Sequence, residues 1–143
     1  MTPEGVFAAV NGLALACWLL LAILPNRRWV TDTVASLAVP AFFAVAYSGL
    51  IGARWAGASG GFSSLADVAA LFQDPWLLLA GWIHYLAFDL LVGSFEARDA
   101  QARGLPRYLL IPCLFFTFMF GPAGWLLYTA LTRGREPRFT LAR

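Results

Sequence analysis

Two ionisable side chains lie deep inside an apolar run of the sequence. His84 and Asp89 fall within the stretch from Trp76 to about Phe95, which is otherwise almost entirely hydrophobic. An ionisable group in hydrocarbon costs several kcal/mol unless it is neutralised or paired, so such residues mark functional sites. We predict Asp89 as a catalytic acid and His84 as a catalytic base. The alternative is that both residues only form hydrogen bonds between helices.

The helical phase of this run groups Asp89 with aromatic and acidic neighbours. At about 100° per residue, Trp82, Tyr85 and Glu96 fall on the same arc as Asp89. His84 lies roughly 140° away, so it can join Asp89 only if the helix packs between two neighbours. We therefore predict substrate-binding roles for residues of this arc and for polar residues of other helices: Trp82, Tyr85, Glu96, Tyr47 and Asn11.

The sequence gives little support for a metal or a cofactor. His84 and Asp89 are five positions apart, whereas ligands on one helix face are three or four apart. The two cysteines, Cys17 and Cys113, lie in separate apolar runs and form no metal or disulfide pattern. We expect no cofactor and no metal. The one alternative is a metal ion bound by His84 and Asp89.

The composition indicates the elements that must position these residues. The chain has 143 residues, of which 60% are hydrophobic and 13% are charged. A soluble domain is nearer about 25% charged, and one core of this size could not bury so much apolar surface. We predict an all-α, polytopic membrane protein with a single domain over residues 1–143.

Four apolar runs have the length of about 20 residues that a membrane-spanning helix needs. We predict a bundle of four transmembrane helices, with spans over residues 5–24, 34–53, 76–97 and 108–131. Between the second and third spans, Ser64 and Asp67 resemble a capping box and precede apolar residues at helical spacing. A short helix at the membrane interface is expected there, and a plain loop helix packed on the bundle is the alternative.

The arginines bear on topology and partners. Four spans place both termini on one side, and comparison of charges across the first three spans favours the Arg27 side as cytoplasmic. We expect the inner membrane of a bacterium, with both termini outside. The net charge of +2 and the position of the arginines in turns argue against a nucleic-acid partner. Expected partners are membrane lipid and either a second copy of the chain or a membrane complex.

Several short motifs together resemble one known family. They lie after the first span, before and within the third, and in the fourth: Leu24-Pro25-Asn26 with Trp29, Leu71-Phe72, Gly81-Trp82-Ile83-His84 with Asp89-Leu90 and Gly93, and Gly121-Pro122-Ala123-Gly124. This pattern resembles the plant neoxanthin synthases, a family named after an abscisic-acid-deficient mutant, and its bacterial homologues. With no organelle transit peptide, the chain looks like a bacterial member.

The resemblance implies a carotenoid or another isoprenoid as the ligand. Plant members convert violaxanthin to neoxanthin, a redox-neutral isomerisation that opens an epoxide and forms an allene. Such a reaction needs an acid at the oxygen and a base that removes a proton from carbon. We expect either an isomerase of a membrane-dissolved isoprenoid or a non-catalytic subunit that binds carotenoid or assists assembly.

Overall fold

The computed structural model describes residues 1–136, and every regular element among them is helical. The six α-helices are α1 (Pro3–Ile23), α2 (Val39–Arg54), α3 (Leu65–Leu71), α4 (Pro75–Arg103), α5 (Arg107–Phe120) and α6 (Pro122–Thr132). A π-helical segment, Trp29–Ala38, leads directly into α2, and a 3-10 turn, Trp55–Gly57, follows it. The prediction of an all-α fold is confirmed for these residues.

Helices α3 and α4 each begin after a residue whose side-chain oxygen accepts a hydrogen bond from the first turn. The Oδ1 atom of Asp74 accepts from the backbone N–H of Trp76 at 2.7 Å and of Leu77 at 3.2 Å. The Oγ atom of Ser64 accepts from Asp67 N–H at 3.1 Å and caps α3. These bonds satisfy amide groups that have no partner inside the helix. A short helix therefore exists between the second and third apolar runs, as predicted.

Three of the helical segments among residues 1–136 are long and apolar enough to cross a membrane: Pro3–Ile23, Trp29–Gly57 and Pro75–Arg103. The second begins at the π-helical segment and thus before residue 34. The third continues past residue 97 to Arg103. Its extension is polar, which explains why hydropathy alone ends the run early.

The fourth apolar run forms a helical hairpin. Gly124 of α6 lies against Thr117 of α5, so closely that a Cβ atom on Gly124 would overlap the Thr117 backbone. Residues seven apart in one continuous helix would be separated by about 10 Å along the axis. The prediction of a single helix over residues 108–131 is therefore wrong. Gly121, at φ +46° and ψ −98°, turns the chain, and Pro122 cannot continue the hydrogen bonding of α5.

The hairpin returns the chain to the end of α4 from which it left. The Tyr128 hydroxyl donates to Asp99 Oδ2 at 2.7 Å, and Arg103 Nη1 donates to the carbonyl oxygen of Arg135. The first turn of α1, by contrast, shares a cavity with Pro75 at the opposite end of α4. Within residues 1–136, the first turn of α1 and the end of α6 therefore lie at opposite ends of α4, which differs from the arrangement expected for four spans.

Helix α4 is the central element of the bundle. It packs against α1, α2, the π-helical segment, α5 and α6, and its buried side chains include Ile83, Leu90 and Ala97. Gly93 allows the Trp18 ring of α1 to approach α4 closely, because a Cβ atom at Gly93 would overlap that ring. Residues of α4 can therefore face three different surroundings, depending on their helical phase.

Candidate functional site

The larger of two recesses described here lies at the Pro75 end of α4 and has a volume of about 530 Å³. We call it the apolar groove; it lies between the first turns of α1, the end of α3 and the first half of α4. Its walls are mainly aromatic and aliphatic and include Phe7, Phe72, Leu78, Leu79, Trp82 and Tyr85. Glu4, in the first turn of α1, lies at its rim. Ligand sites typically have about 300–1,000 Å³ and apolar walls of this kind.

A hydrogen bond and aromatic contacts fix the inner wall of the groove. Trp82 Nε1 donates to Asn11 Oδ1 at 3.2 Å, and Asn11 Nδ2 donates to the Phe7 carbonyl oxygen at 2.7 Å. The ring centroids of Trp82 and Tyr85 are 5.2 Å apart, and those of Phe7 and Trp82 are 5.7 Å apart. The structure therefore brings Trp82, Tyr85 and Asn11 together. Nothing in an isolated Phe7 signals a groove, and sequence reasoning missed it.

Tyr85 connects the groove to the hairpin. Its ring lines the groove, and its hydroxyl donates to the carbonyl oxygen of Phe118, near the end of α5, at 3.4 Å. Asp89 follows one turn further along the same face of α4. Because α4 runs from Pro75 to Arg103, Asp89 is its middle residue. Asp89 is therefore the ionisable residue closest to the middle of α4.

The carboxylate of Asp89 faces the hairpin tip, which we define as Gly121 and Pro122. A Cβ atom on Gly121 would lie 2.9 Å from Asp89 Oδ1, so only glycine leaves room for the carboxylate. The other oxygen, Oδ2, is buried and makes no hydrogen bond within residues 1–136. Helix α6 begins at the tip, and the partial positive charge of a helix N-terminus favours a carboxylate there.

Glu96 lies away from the groove, in the contact between α4 and α5. It is fully buried between α4 and α5, and the Thr117 hydroxyl lies 2.9 Å and 3.1 Å from its two carboxylate oxygens. It lies eleven positions after Tyr85, a rise of about 16 Å along the helix. The structure does not bring Glu96 to the groove, and its visible role is to hold α5 against α4.

Asp99 and Tyr128 add a second polar contact between α4 and the hairpin. Asp99 Oδ2 accepts from the Tyr128 hydroxyl and also from Arg103 Nε, which lies 2.6 Å away. Sequence reasoning assigned no role to this pair, because the contact depends on the hairpin. The signal that could have found it is the Gly121-Pro122 dipeptide, which is typical of a turn.

His84 lies on another side of α4. It is exposed, its ring centroid is 4.6 Å from that of Phe88, and it is 5.6 Å from the ring of Tyr47 on α2. Asp89 instead faces the hairpin tip. The structure therefore does not bring His84 and Asp89 together, and it places Tyr47 with His84, away from the groove.

Metal-binding groups do not converge in the part of the chain that the structure describes. No group of three or more His, Cys, Asp and Glu residues within 1–136 could hold a metal ion. Cys17 and Cys113 are both buried as free thiols. The chemistry that the arrangement can support is proton exchange between a hydroxyl and a carboxyl group beside an apolar cavity.

The three long apolar helices indicate a membrane protein. This membrane protein has an apolar groove whose wall residue Tyr85 lies one helical turn from the carboxylate of Asp89. More specifically, the chain belongs to the ABA DEFICIENT 4-like family, whose sequence model matches residues 5–128. The match covers the groove residues from Phe7 to Tyr85, Asp89, and the hairpin as far as Tyr128. No curated protein and no solved structure matches the chain.

Proposed function

We propose that this chain is a multi-pass membrane protein that takes the end of a carotenoid or related isoprenoid into the apolar groove. There it isomerises the molecule by proton transfer, with no redox change and no cofactor. The observation that carries the proposal is the position of Tyr85, whose ring lines the groove one helical turn from Asp89. Family membership and the resemblance to neoxanthin synthases support a carotenoid-like ligand.

The groove suits a long apolar molecule better than a compact polar one. Its aromatic walls offer ring faces to a polyene or a terminal ring, and its volume of about 530 Å³ suits one end group. The remainder of a longer chain would stay in the surrounding lipid. Glu4 at the rim and the Tyr85 hydroxyl are the polar groups that a ligand oxygen could meet.

The isomerisation balances in protons. An acid donates one proton to the substrate oxygen while its carbon–oxygen bond breaks, and a base removes one proton from carbon to form the new double bond. The Tyr85 hydroxyl would donate its proton to the oxygen, and the phenolate left behind would accept the proton released from carbon. Asp89, one turn deeper, would exchange a proton with Tyr85 between the two steps. The ring faces of Trp82 and Tyr85 would stabilise the intermediate cation. His84, on another face, takes no part in this scheme.

The topology we propose has three spans and a re-entrant hairpin, α5–α6. A polar turn at membrane depth is tolerated where protein covers it, and α4 covers the hairpin tip. Arg54 contacts Trp76 at the Pro75 end. The other arginines within residues 1–136 belong to the opposite end: Arg27, Arg28, Arg98, Arg103, Arg107, Arg133 and Arg135. The excess of positive charge makes that end cytoplasmic, with the start of α1 outside, in a bacterial inner membrane.

A non-catalytic role in binding carotenoid or assembling a membrane complex is the second candidate. The observation that favours it is that Asp89 is not part of the groove wall, so a bound ligand would contact Tyr85 first. Exposed apolar side chains along the bundle, such as Leu37, Val45 and Phe88, could then contact lipid, a second copy or another subunit.

Substitution at three neighbouring positions of α4 separates these functions. Pigments and isoprenoids would be compared between a deletion strain and its parent, and the changed compound would then be tested with purified protein in mild detergent. Tyr85→Phe and Asp89→Asn should each lower turnover by about 10²–10⁴-fold, while the compound still binds. His84→Gln, the matched control in the same helix, should keep near-parental turnover.

The opposite results are equally informative. A folded Asp89→Asn protein with near-parental turnover would overturn the catalytic proposal, and compound that binds and leaves unchanged would establish the binding role. Loss of turnover in His84→Gln with normal folding would restore His84 as the base. Folding of each variant is checked by its elution volume and thermal unfolding in detergent.

A further inference from the structure

A second recess lies at the opposite end of the bundle from the apolar groove. It has a volume of about 400 Å³ and lies between the start of the π-helical segment and the last turns of α4. We call it the arginine recess. Polar and charged side chains form most of its walls, which consist of Arg28, Thr31, Asp32, Arg98, Gln101 and Ala102.

The charges in the arginine recess are only partly balanced. Arg98 Nη1 lies 3.7 Å from Asp32 Oδ1, a long contact between two half-exposed side chains. Arg28 forms no ion pair with an acidic residue among residues 1–136. Two guanidinium groups and one carboxylate leave the recess with one excess positive charge, and guanidinium donors match the geometry of phosphate oxygens.

The walls of the recess are held in place by their own hydrogen bonds. The Thr31 hydroxyl donates to Asp32 Oδ1 at 3.0 Å, and the Gln101 side-chain amide donates to the Pro25 carbonyl oxygen. Thr31 and Asp32 belong to the π-helical segment Trp29–Ala38. Local π-helix is rare and is frequently found at functional sites. Hydrogen bonds therefore hold the residues next to Arg28 and Arg98 in place.

We propose that the arginine recess binds the phosphate group of an anionic membrane lipid. Basic pockets between membrane helices on the cytoplasmic side typically hold such head groups. Exposed apolar side chains that could contact the acyl chains follow in the π-helical segment and in α2, with Trp29 52%, Leu37 63% and Phe42 54% exposed. This inference rests on the proposed membrane topology and is independent of the isomerase chemistry.

Lipid binding would also have a mechanical effect. A phosphate between Arg28 and Arg98 would join the start of the π-helical segment to α4, two elements that the Arg98–Asp32 contact otherwise holds weakly. Asp32 competes with the phosphate for Arg98 because both are anions. Removing the charge of Asp32 should therefore strengthen lipid binding, an effect opposite in sign to removing either arginine.

Native mass spectrometry of the purified protein in detergent can test this inference. Phosphatidylglycerol, phosphatidylcholine with the same acyl chains, and inorganic phosphate are titrated separately. The parent protein should bind phosphatidylglycerol most tightly. Arg28→Gln with Arg98→Gln should weaken that binding about tenfold or more, and Asp32→Asn should tighten it. Arg133→Gln with Arg135→Gln removes the same charge from the same end outside the recess and should change binding less than about twofold.

Each contrary outcome decides the matter. Equal loss in the two double variants would show that the attraction is diffuse, and no loss in the recess variant would show that the recess is not the site. Tighter binding of inorganic phosphate than of lipid would overturn the lipid assignment. If the glutamine pair fails to fold, Arg28→Lys with Arg98→Lys keeps the charge but loses the planar fork, and binding should weaken more than in the Arg133→Gln, Arg135→Gln control. Turnover is not read in this assay, so its failure leaves the proposed isomerase untouched.

Discussion

Replacing Gly121 with alanine tests whether the hairpin tip and Asp89 depend on each other. The added Cβ atom would lie 2.9 Å from Asp89 Oδ1, closer than such atoms pack in proteins. The backbone at φ +46° adds a cost of about 1–2 kcal/mol for any residue with a Cβ atom. We therefore expect Gly121→Ala to lower the free energy of unfolding by about 1–3 kcal/mol, with part of that loss caused by displacement of the carboxylate.

The assay is a titration with denaturing detergent in mixed micelles, followed by tryptophan fluorescence. Gly49→Ala is the matched control, because Gly49 lies inside α2 and a Cβ atom there would have nothing within 4 Å. It should be neutral or should stabilise by about 0.5–1 kcal/mol, since alanine favours a helix interior over glycine. Both variants add one methyl group, so a difference between them reports local structure.

A double-mutant cycle separates the two causes of the loss. In an Asp89→Ala background the contact with the carboxylate is absent, so Gly121→Ala should cost less by about 0.5–1 kcal/mol, and only backbone strain should remain. An identical cost in both backgrounds would mean that Asp89 does not face the tip. A Gly121→Ala protein as stable as the Gly49→Ala control would refute the hairpin turn itself.

Three further predictions follow from the hairpin and its contacts. Gly124→Ala should lose more stability than Gly121→Ala in the same titration, because its Cβ atom would overlap the Thr117 backbone; an unchanged midpoint would contradict the close packing of α5 and α6. Glu96→Ala should destabilise by about 1–3 kcal/mol because it leaves the buried Thr117 hydroxyl without its partner, whereas Glu96→Gln keeps an acceptor and should cost clearly less; equal losses would show that this hydrogen bond is not what matters. In a Cys17→Ala, Cys113→Ala background, Ser59→Cys and Arg135→Cys should react with an impermeant thiol reagent from opposite sides of the membrane; labelling from one side would restore four spans.

The sequence was sufficient to predict the parts of the fold that follow from hydropathy and capping. The three long helices and the short helix after Ser64 depend on residues adjacent in sequence. The hairpin could not be predicted in this way, because an apolar run has the same hydropathy whether it crosses the membrane once or folds back on itself. Only Gly121-Pro122 distinguishes the two, and a kink in one helix would use the same residues.

The candidate site was likewise predictable only within one helix. Helical phase correctly groups Trp82, Tyr85 and Asp89 on one arc of α4 and places His84 elsewhere. Helical phase cannot show which neighbouring helix each face of α4 contacts, and the proposed function depends on those contacts. The groove needs Phe7 from α1, and the niche of Asp89 needs Gly121. Both are apolar or small residues that carry no chemical signal by themselves.

The dependence of the hairpin on α4 also sets an order of events during biosynthesis. Until α5 and α6 emerge from the ribosome and fold back, Glu96 and Asp99 lack the hydroxyl groups of Thr117 and Tyr128. A nascent chain that ends soon after Arg103 would present these carboxylates to lipid or to the insertion machinery, where their burial is costly. Among the helices of residues 1–136, the hairpin is therefore the last to join the bundle, and it supplies the partners of both carboxylates.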